Sequence, residues 1–171
     1  MRKSFIIFLT LLGLELICVE LNQALSAYHI YVFTGGLLVS SVIFNLTFRQ
    51  GLIAVFAAGL SYDAHASVYF GTHALLFTAV YVLLIQLQDR LPYDYTVGRV
   101  IIALICNLIL FIALTFIRID LVPEPSSMWP RVGMDILVSQ LFISLIALWF
   151  FALQKRSLIL TSKKVDRIYF N

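Results

Sequence analysis

Three ionisable side chains fall close together within an otherwise apolar stretch of this 171-residue chain. Asp63, His65 and His73 are the only Asp, Glu, Lys, Arg or His residues between positions 50 and 88. A metal site needs three or four converging donors, and only these three are local. An aspartate at a turn or helix end commonly accepts hydrogen bonds from free backbone N–H groups. The residues therefore favour a structural carboxylate over a metal centre, and no cofactor is expected.

A second aspartate permits a proteolytic interpretation. Asp63 and Asp135 both fall near the same membrane face in the topology derived below, and two aspartates that share a proton can form a protease dyad. However, neither stands in a Gly-x-Gly-Asp context. The chain also lacks a Gly-x-Ser-x-Gly elbow, a phosphate-cradling loop and a nucleotide fingerprint. We predict that the chain is not an enzyme, with an intramembrane aspartyl protease kept as an alternative.

The first apolar run carries two carboxylates, Glu15 and Glu20. At about 100° per residue, five positions place them roughly 140° apart, so they cannot share one helix face. Glu20 lies near the end of the run and is expected to be solvated. Glu15 lies deeper, and we expect it to face the bundle interior or a partner helix, because a charge facing lipid is costly. Cys18 and Cys106 form no CxxC pattern and are interpreted as small buried hydrophobes.

Composition sets the environment of these side chains. Hydrophobic residues make up 61% of the chain and charged residues only 12%, whereas a soluble domain has about a quarter charged residues. Most of the surface must therefore face something other than water. The excess of basic residues does not indicate nucleic acid, because their placement follows a membrane topology. Without linkers, repeats or low-complexity tracts, residues 1–171 are predicted to form one all-α membrane domain.

Apolar length predicts the spans. A crossing helix needs about 20 mostly apolar residues, and the segments 5–25, 28–48, 100–117 and 135–154 qualify directly. The stretch 50–88 would reach about 58 Å as one straight helix, nearly twice the hydrocarbon thickness. We therefore predict that it folds back near 61–67 into a short helical hairpin with spans 51–63 and 70–88.

The distribution of positive charge supports six spans. With the hairpin, basic residues divide ten to two between the two sides of the membrane; with a single crossing they divide five to seven. The positive-inside rule prefers the first arrangement. Both termini are then cytoplasmic, and residues 155–171 form a basic cytoplasmic tail. The cytoplasmic set is Arg2, Lys3, Arg49, Arg90, Arg99, Lys155, Arg156, Lys163, Lys164 and Arg167, and the external set is Arg118 and Arg131.

A family resemblance rests on the hairpin. The run Gly59-Leu60-Ser61-Tyr62-Asp63 is followed, eight residues after Asp63, by Gly71-Thr72-His73-Ala74-Leu75. Together with Arg49-Gln50-Gly51, the six predicted spans and the basic tail, this spacing resembles the rod shape-determining protein MreD family. We expect Asp63 to brace the turn and Gly71 to allow close packing where the fourth span starts. Gly59, with neighbouring alanines, is expected to mark a helix contact.

The resemblance implies a non-catalytic scaffold of the bacterial cell-elongation complex, which controls rod shape and peptidoglycan synthesis in the inner membrane. The expected direct partner is an MreC-like single-span protein, with MreB, RodA and penicillin-binding protein 2 nearby. The family's six-helix arrangement resembles that of the substrate-binding subunits of vitamin transporters, which gives an alternative function. That alternative predicts a polar, ligand-sized cavity, whereas helices rich in Leu, Ile, Val and Phe favour a packed core or an apolar partner surface.

Overall fold

The computed structural model describes residues 2–66, 69–90, 95–119 and 125–169, and within these ranges all regular structure is helical. Two short 3₁₀ turns, Ser26–Tyr28 and Gln88–Arg90, accompany six α-helices. These helices are α1 (Arg2–Leu25), α2 (Gly35–Ile43), α3 (Phe48–His65), α4 (Thr72–Gln86), α5 (Thr96–Arg118) and α6 (Pro125–Tyr169). The all-α class predicted from the sequence is confirmed.

Within the described residues, three helical segments are long and apolar enough to cross a membrane. They are Lys3–Tyr28, Thr96–Arg118 and Met128–Ile159, and Thr72–Gln86 is a shorter apolar helix. Many large apolar side chains on these helices are exposed, including Ile105 and Leu145. A water-soluble monomer rarely exposes so much contiguous apolar surface. The length and the exposed apolar surface of these helices are therefore compatible with a membrane protein.

The short helix α2 lies at the centre of the bundle. Its residues from Gly35 to Val42 are all buried, and it packs most extensively against α5. A Cβ atom on Gly36 would overlap the backbone of Asn107 on α5, so the two helices touch through their backbones at this point. Close approach at small residues is the usual source of helix packing in lipid, where apolar surface alone gives little preference for a partner helix.

The helix expected over 28–48 is confined to α2, and that expectation of a continuous helix is wrong. The preceding 3₁₀ turn ends at Tyr28 and is followed by His29, which has a left-handed φ of 55°. Residues 30–34 are not helical. Residues Ile30 to Thr34 are all β-branched or aromatic, types with lower helix propensity than Leu or Ala. Two glycines follow. The helix resumes only where its backbone can approach α5.

Helices α1, α3, α5 and α6 all extend beyond the predicted spans. Helix α3 has 18 residues, about 27 Å at 1.5 Å per residue, so it is longer than the predicted 51–63 and includes Asp63 in its last turn. Helix α6 has 45 residues, about 67 Å long, and contains both the predicted span 135–154 and most of the basic tail. Pro125 occupies its first position, where a missing N–H costs nothing. Residues 120–124 of the predicted external loop lie outside the described residues.

Candidate functional site

The hairpin of α3 and α4 is built on a backbone contact at Gly59. A Cβ atom added to Gly59 would lie 2.7 Å from the backbone nitrogen of Ala74 and 3.0 Å from the carbonyl carbon of His73. Real Cβ atoms do not approach other atoms this closely, so any larger residue would push the two helices apart. Gly59 therefore sets the separation at which the side chains of the hairpin meet.

Asp63 is the polar centre of this hairpin. One carboxylate oxygen accepts the backbone N–H of His73 at 2.9 Å and its ring Nδ1 at 2.8 Å. The other accepts the backbone N–H groups of Gly71 at 3.0 Å and Ala74 at 3.2 Å. Since Asp63 is 4% exposed, these bonds replace water. A side chain of α3 thus caps the N-terminus of α4, where free N–H groups favour a negative charge.

Gly71 contributes conformation rather than packing. It precedes α4 with a φ of 96°, in the region that residues with a Cβ rarely adopt. A Cβ atom at this position would meet nothing within 4 Å. The expected close packing at Gly71 is therefore wrong, and the close contact of the hairpin is at Gly59. The turn needs Gly71 so that its N–H can point at Asp63.

Glu15 lies inside the bundle, 2% exposed, against the end of α3. Neither of its carboxylate oxygens has a hydrogen-bond partner among the described residues. The nearest cationic candidate is His65, whose Nδ1 lies 3.7 Å from the carboxylate and 3.0 Å from the carbonyl of Ser61. A buried carboxylate with so little compensation is costly. Glu20, by contrast, is exposed.

Within the non-helical segment 29–34, the backbone of residues 31–33 forms hydrogen bonds with side chains of α1 and α6. The amide of Asn22 bonds both backbone groups of Val32: its oxygen accepts the N–H at 2.7 Å, and its nitrogen donates to the carbonyl at 2.9 Å. A carboxylate oxygen of Asp135 accepts the N–H of Tyr31 at 2.9 Å. Irregular backbone at membrane depth persists where protein supplies such partners.

Two more side chains bond to backbone N–H groups within this segment and at the start of α2. The hydroxyl of Ser139 on α6 accepts the N–H of Phe33 at 2.9 Å, and the amide oxygen of Asn107 on α5 accepts the N–H of Gly36 at 3.1 Å. Sequence reasoning did not identify Asn22, Asn107 or Ser139. The available signal was a polar residue within each of several apolar helices, since such a residue commonly pairs with a polar group elsewhere in the bundle.

The two aspartates considered for a protease dyad have different partners. Asp63 is engaged by the start of α4 and Asp135 by Tyr31, and no hydrogen bond joins the two carboxyl groups. This arrangement gives no support to a shared proton. Across the described part of the chain, no three His, Cys, Asp or Glu side chains converge as metal ligands.

A cavity of about 550 Å³ opens beside the hairpin, between the end of α3, the end of α5 and the first turns of α6. Its volume lies within the usual range of small-molecule sites, about 300–1,000 Å³. The spacing of the lining residues in the sequence does not indicate that their side chains lie together. The cavity is lined by Tyr31, Phe33, His65, Ala66, His73, Phe111, Leu114, Thr115, Arg118, Met128, Arg131, Val132 and Asp135.

Comparisons with known proteins identify no relative of this chain. No model of a protein family matches it, and no curated protein and no solved structure does so. The residues and contacts described above are therefore the basis for assigning a function.

Proposed function

We propose that this chain is a non-catalytic, six-span scaffold of the bacterial inner membrane, similar to the MreD family, that binds an MreC-like single-span protein in the cell-elongation complex. The observation that carries the proposal is the hairpin. Gly59, Asp63 and Gly71, on which the family resemblance rests, each have a distinct role there: helix contact, cap and turn. The spacing of these three residues in the sequence thus follows from the geometry of the hairpin.

Six crossings require that the second span reach across the bilayer without a full helix. Residues 30–33 lie between the left-handed His29 and the start of α2 and cover about 13 Å at 3.3 Å per residue when extended. The nine residues of α2 add about 13 Å. Together they reach about 26 Å, close to a hydrocarbon core about 30 Å thick. The non-helical part is paired with side chains, as a membrane environment demands, and the ten-to-two charge split supports the same topology.

Reporter fusions test this topology. We expect fusions after Lys164 and within 90–99 to report the cytoplasm, and a fusion within 120–127 to report the exterior. The positive-inside distribution is the reason. External signals from both the C-terminus and the 90–99 loop would contradict the six-span arrangement and the scaffold proposal built on it.

The surface proposed for the partner is apolar. On α6, Leu137, Leu141 and Leu145 are each more than 60% exposed and four residues apart, so they form one stripe along the helix. Glu15 was a candidate for hydrogen bonding to a partner helix, but it is buried within the chain itself. A single partner helix packed along the leucine stripe therefore fits the proposal better than a polar contact at Glu15.

Co-purification and depletion test the function. Tagged protein extracted in mild detergent should carry an MreC-like protein in a stoichiometric complex, and replacing the three stripe leucines by alanine should weaken that complex. A matched control replaces Ile7, Leu11 and Leu38, which are buried, and should lower stability instead. Depletion should round or swell rod-shaped cells. Cells that keep their shape but lose uptake of one vitamin would overturn the scaffold in favour of a transporter.

The second candidate is the substrate-binding membrane subunit of a vitamin or cofactor transporter, and the cavity favours it. The cavity has the polar, aromatic and charged lining that this function needs. Uptake of labelled vitamins by cells with and without the protein tests it directly. No observation favours the aspartyl protease.

A further inference from the structure

The cavity beside the hairpin has an unequal charge distribution on its wall. Arg118 at the end of α5 and Arg131 near the start of α6 both line it, whereas Asp135 is its only carboxylate among the described lining residues. That carboxylate already accepts the N–H of Tyr31 at 2.9 Å. The described lining of the cavity therefore contains two guanidinium groups and one carboxylate that already accepts a hydrogen bond. Guanidinium groups bind phosphate in a bidentate manner.

Two histidines that line the cavity, His65 and His73, each lie near a carboxyl group outside its lining. The Nδ1 atom of His73 lies 2.8 Å from Asp63, and that of His65 lies 3.7 Å from Glu15. Nδ1 of His73 is engaged by Asp63 and Nδ1 of His65 by the carbonyl of Ser61 at 3.0 Å, so Nε2 is the ring nitrogen that these contacts leave for a ligand. Neither buried carboxylate lines the cavity itself. Both carboxyl groups thus lie beside the histidines and outside the lining of the cavity.

Arg118 lines the cavity and carries a hydrogen-bond donor that is unpaired within the described part of the chain. Its Nε–H is buried and has no hydrogen-bond acceptor within the described residues. An acceptor supplied by a ligand would satisfy it, since buried donors in proteins are nearly always paired. The remainder of the wall is apolar and includes Phe111, Leu114 and Val132. The cavity therefore combines a cationic end with an apolar side.

The position of the cavity suits a molecule that reaches it from the membrane. Arg118 ends the apolar helix α5, and the rings of Phe116 and Trp129 pack edge to face nearby with centroids 6.4 Å apart. Aromatic residues of this kind, Trp above all, are enriched at the level of lipid headgroups. The mouth of the cavity thus lies where an amphiphile would place its polar group.

We propose that this cavity binds a phosphate-bearing amphiphile, with the phosphate held by Arg118 and Arg131 and an apolar portion against Phe111 and Leu114. The ligand is a phospholipid headgroup or a soluble organic phosphate, which share this chemistry. The inference stands apart from the scaffold proposal, because it is measured on the isolated protein and needs neither a partner nor a cell-shape effect.

Native mass spectrometry of the full chain in mild detergent tests the site. Delipidated protein is offered equimolar phosphatidylglycerol and diacylglycerol, which lacks a phosphate, with the same acyl chains, in the presence and absence of glycerol 3-phosphate. We expect the parent protein to retain phosphatidylglycerol about tenfold better. Displacement of the lipid by glycerol 3-phosphate identifies a soluble ligand as the source, and retention of the lipid identifies the headgroup; both support the site.

Matched substitutions localise the binding. Arg118→Gln and Arg131→Gln should each reduce the preference for the anionic lipid toward unity, whereas Arg49→Gln, the same change at an exposed position at the start of α3, should leave it intact. Arg118→Lys, which keeps the charge and most of the side-chain volume, should retain part of the preference and shows that loss in the glutamine variant is not misfolding. Equal retention of the two lipids by the parent protein, or equal behaviour of all three glutamine variants, would overturn the proposal.

Discussion

Two of the breaks between helices in the described residues, the turn before α4 and the segment 29–34, are stabilised in opposite ways. At the turn before α4, the free backbone groups bond to Asp63, only eight to eleven residues away in sequence. In segment 29–34, the N–H groups of Tyr31 and Phe33 bond to Asp135 and Ser139, which are 104 and 106 residues away. Both breaks satisfy the same demand, since buried backbone polar groups must be paired.

The difference separates a self-contained element from one that depends on the whole fold. The α3–α4 hairpin contains its own cap, turn and helix contact, so its geometry should persist whenever the two helices are inserted together. Segment 29–34 keeps its conformation only while α1, α5 and α6 surround it. Variants that act on one break and leave the other unchanged test this distinction.

The largest effect is expected from Asp63→Ala. It removes four hydrogen bonds from a buried site and leaves the start of α4 and the ring of His73 unpaired, so the free energy of unfolding should fall by about 3–5 kcal/mol. Titration of the protein with a denaturing detergent, followed by circular dichroism, measures it. Ser61→Ala, two residues earlier on α3, should change stability by less than about 0.5 kcal/mol. An Asp63→Ala protein as stable as the parent would show that water caps the helix.

Asn22→Leu should act on the other break. Both backbone groups of Val32 would lose their partner, at a cost of about 2–3 kcal/mol. Amide hydrogen exchange should quicken over 30–34 and stay unchanged in α3 and α4, while Gln23→Leu at the exposed neighbouring position should do neither. Equal acceleration in the hairpin would mean that the two breaks are coupled and that the distinction drawn here fails.

Gly71→Ala should have a smaller effect, because the added methyl group meets no atom and only the positive φ is strained. We expect a loss of about 1–2 kcal/mol, measured by the same detergent titration. Gly13→Ala is the matched control, since its Cβ also meets nothing within 4 Å. That change lies inside a helix and should raise stability by about 0.5–1 kcal/mol. Similar gains in both variants would argue against a conformational role for Gly71.

The smallest effect is expected at Glu15. Replacing a buried carboxylate that has no hydrogen-bond partner with an apolar side chain of similar size is often neutral or stabilising. Glu15→Leu should therefore leave the free energy of unfolding unchanged or raise it by about 1 kcal/mol, with Leu14→Ala as a destabilising control at a buried neighbour. A loss of several kcal/mol in Glu15→Leu would reveal that the carboxylate is compensated within the bundle.

Sequence reasoning succeeded where the physics is local. Apolar length predicted the helices, and the polar run after Gly59 predicted the hairpin with Asp63 at its turn. It failed for the second helix, because β-branched residues lower helix propensity only slightly. The outcome at 30–34 was decided by side chains on α1 and α6 that offer hydrogen bonds. No pattern within 28–48 contains that information.

The cavity illustrates a second limit. Arg118 and Arg131 were interpreted by their sidedness, as the two basic residues of the external face, and His65 and His73 as parts of a turn. Their convergence depends on how the ends of α3 and α5 meet the start of α6. A count of charges on each side of the membrane contains no information about these helix contacts. Each residue type was visible in the sequence, whereas the distances among them were not.

The long sequence separation between segment 29–34 and α6 has a consequence for synthesis. At about 5–20 residues per second, the ribosome adds Asp135 some 5–20 seconds after Tyr31, given the 104 residues between them. Throughout this interval two N–H groups of the segment lack their final acceptors. Asn22, only ten residues from Val32, is made before the segment itself and can hold its central residue from the start. The amide of Asn22 is thus available to the backbone of Val32 during insertion. The N–H groups of Tyr31 and Phe33 gain their acceptors only after α6 has been synthesised.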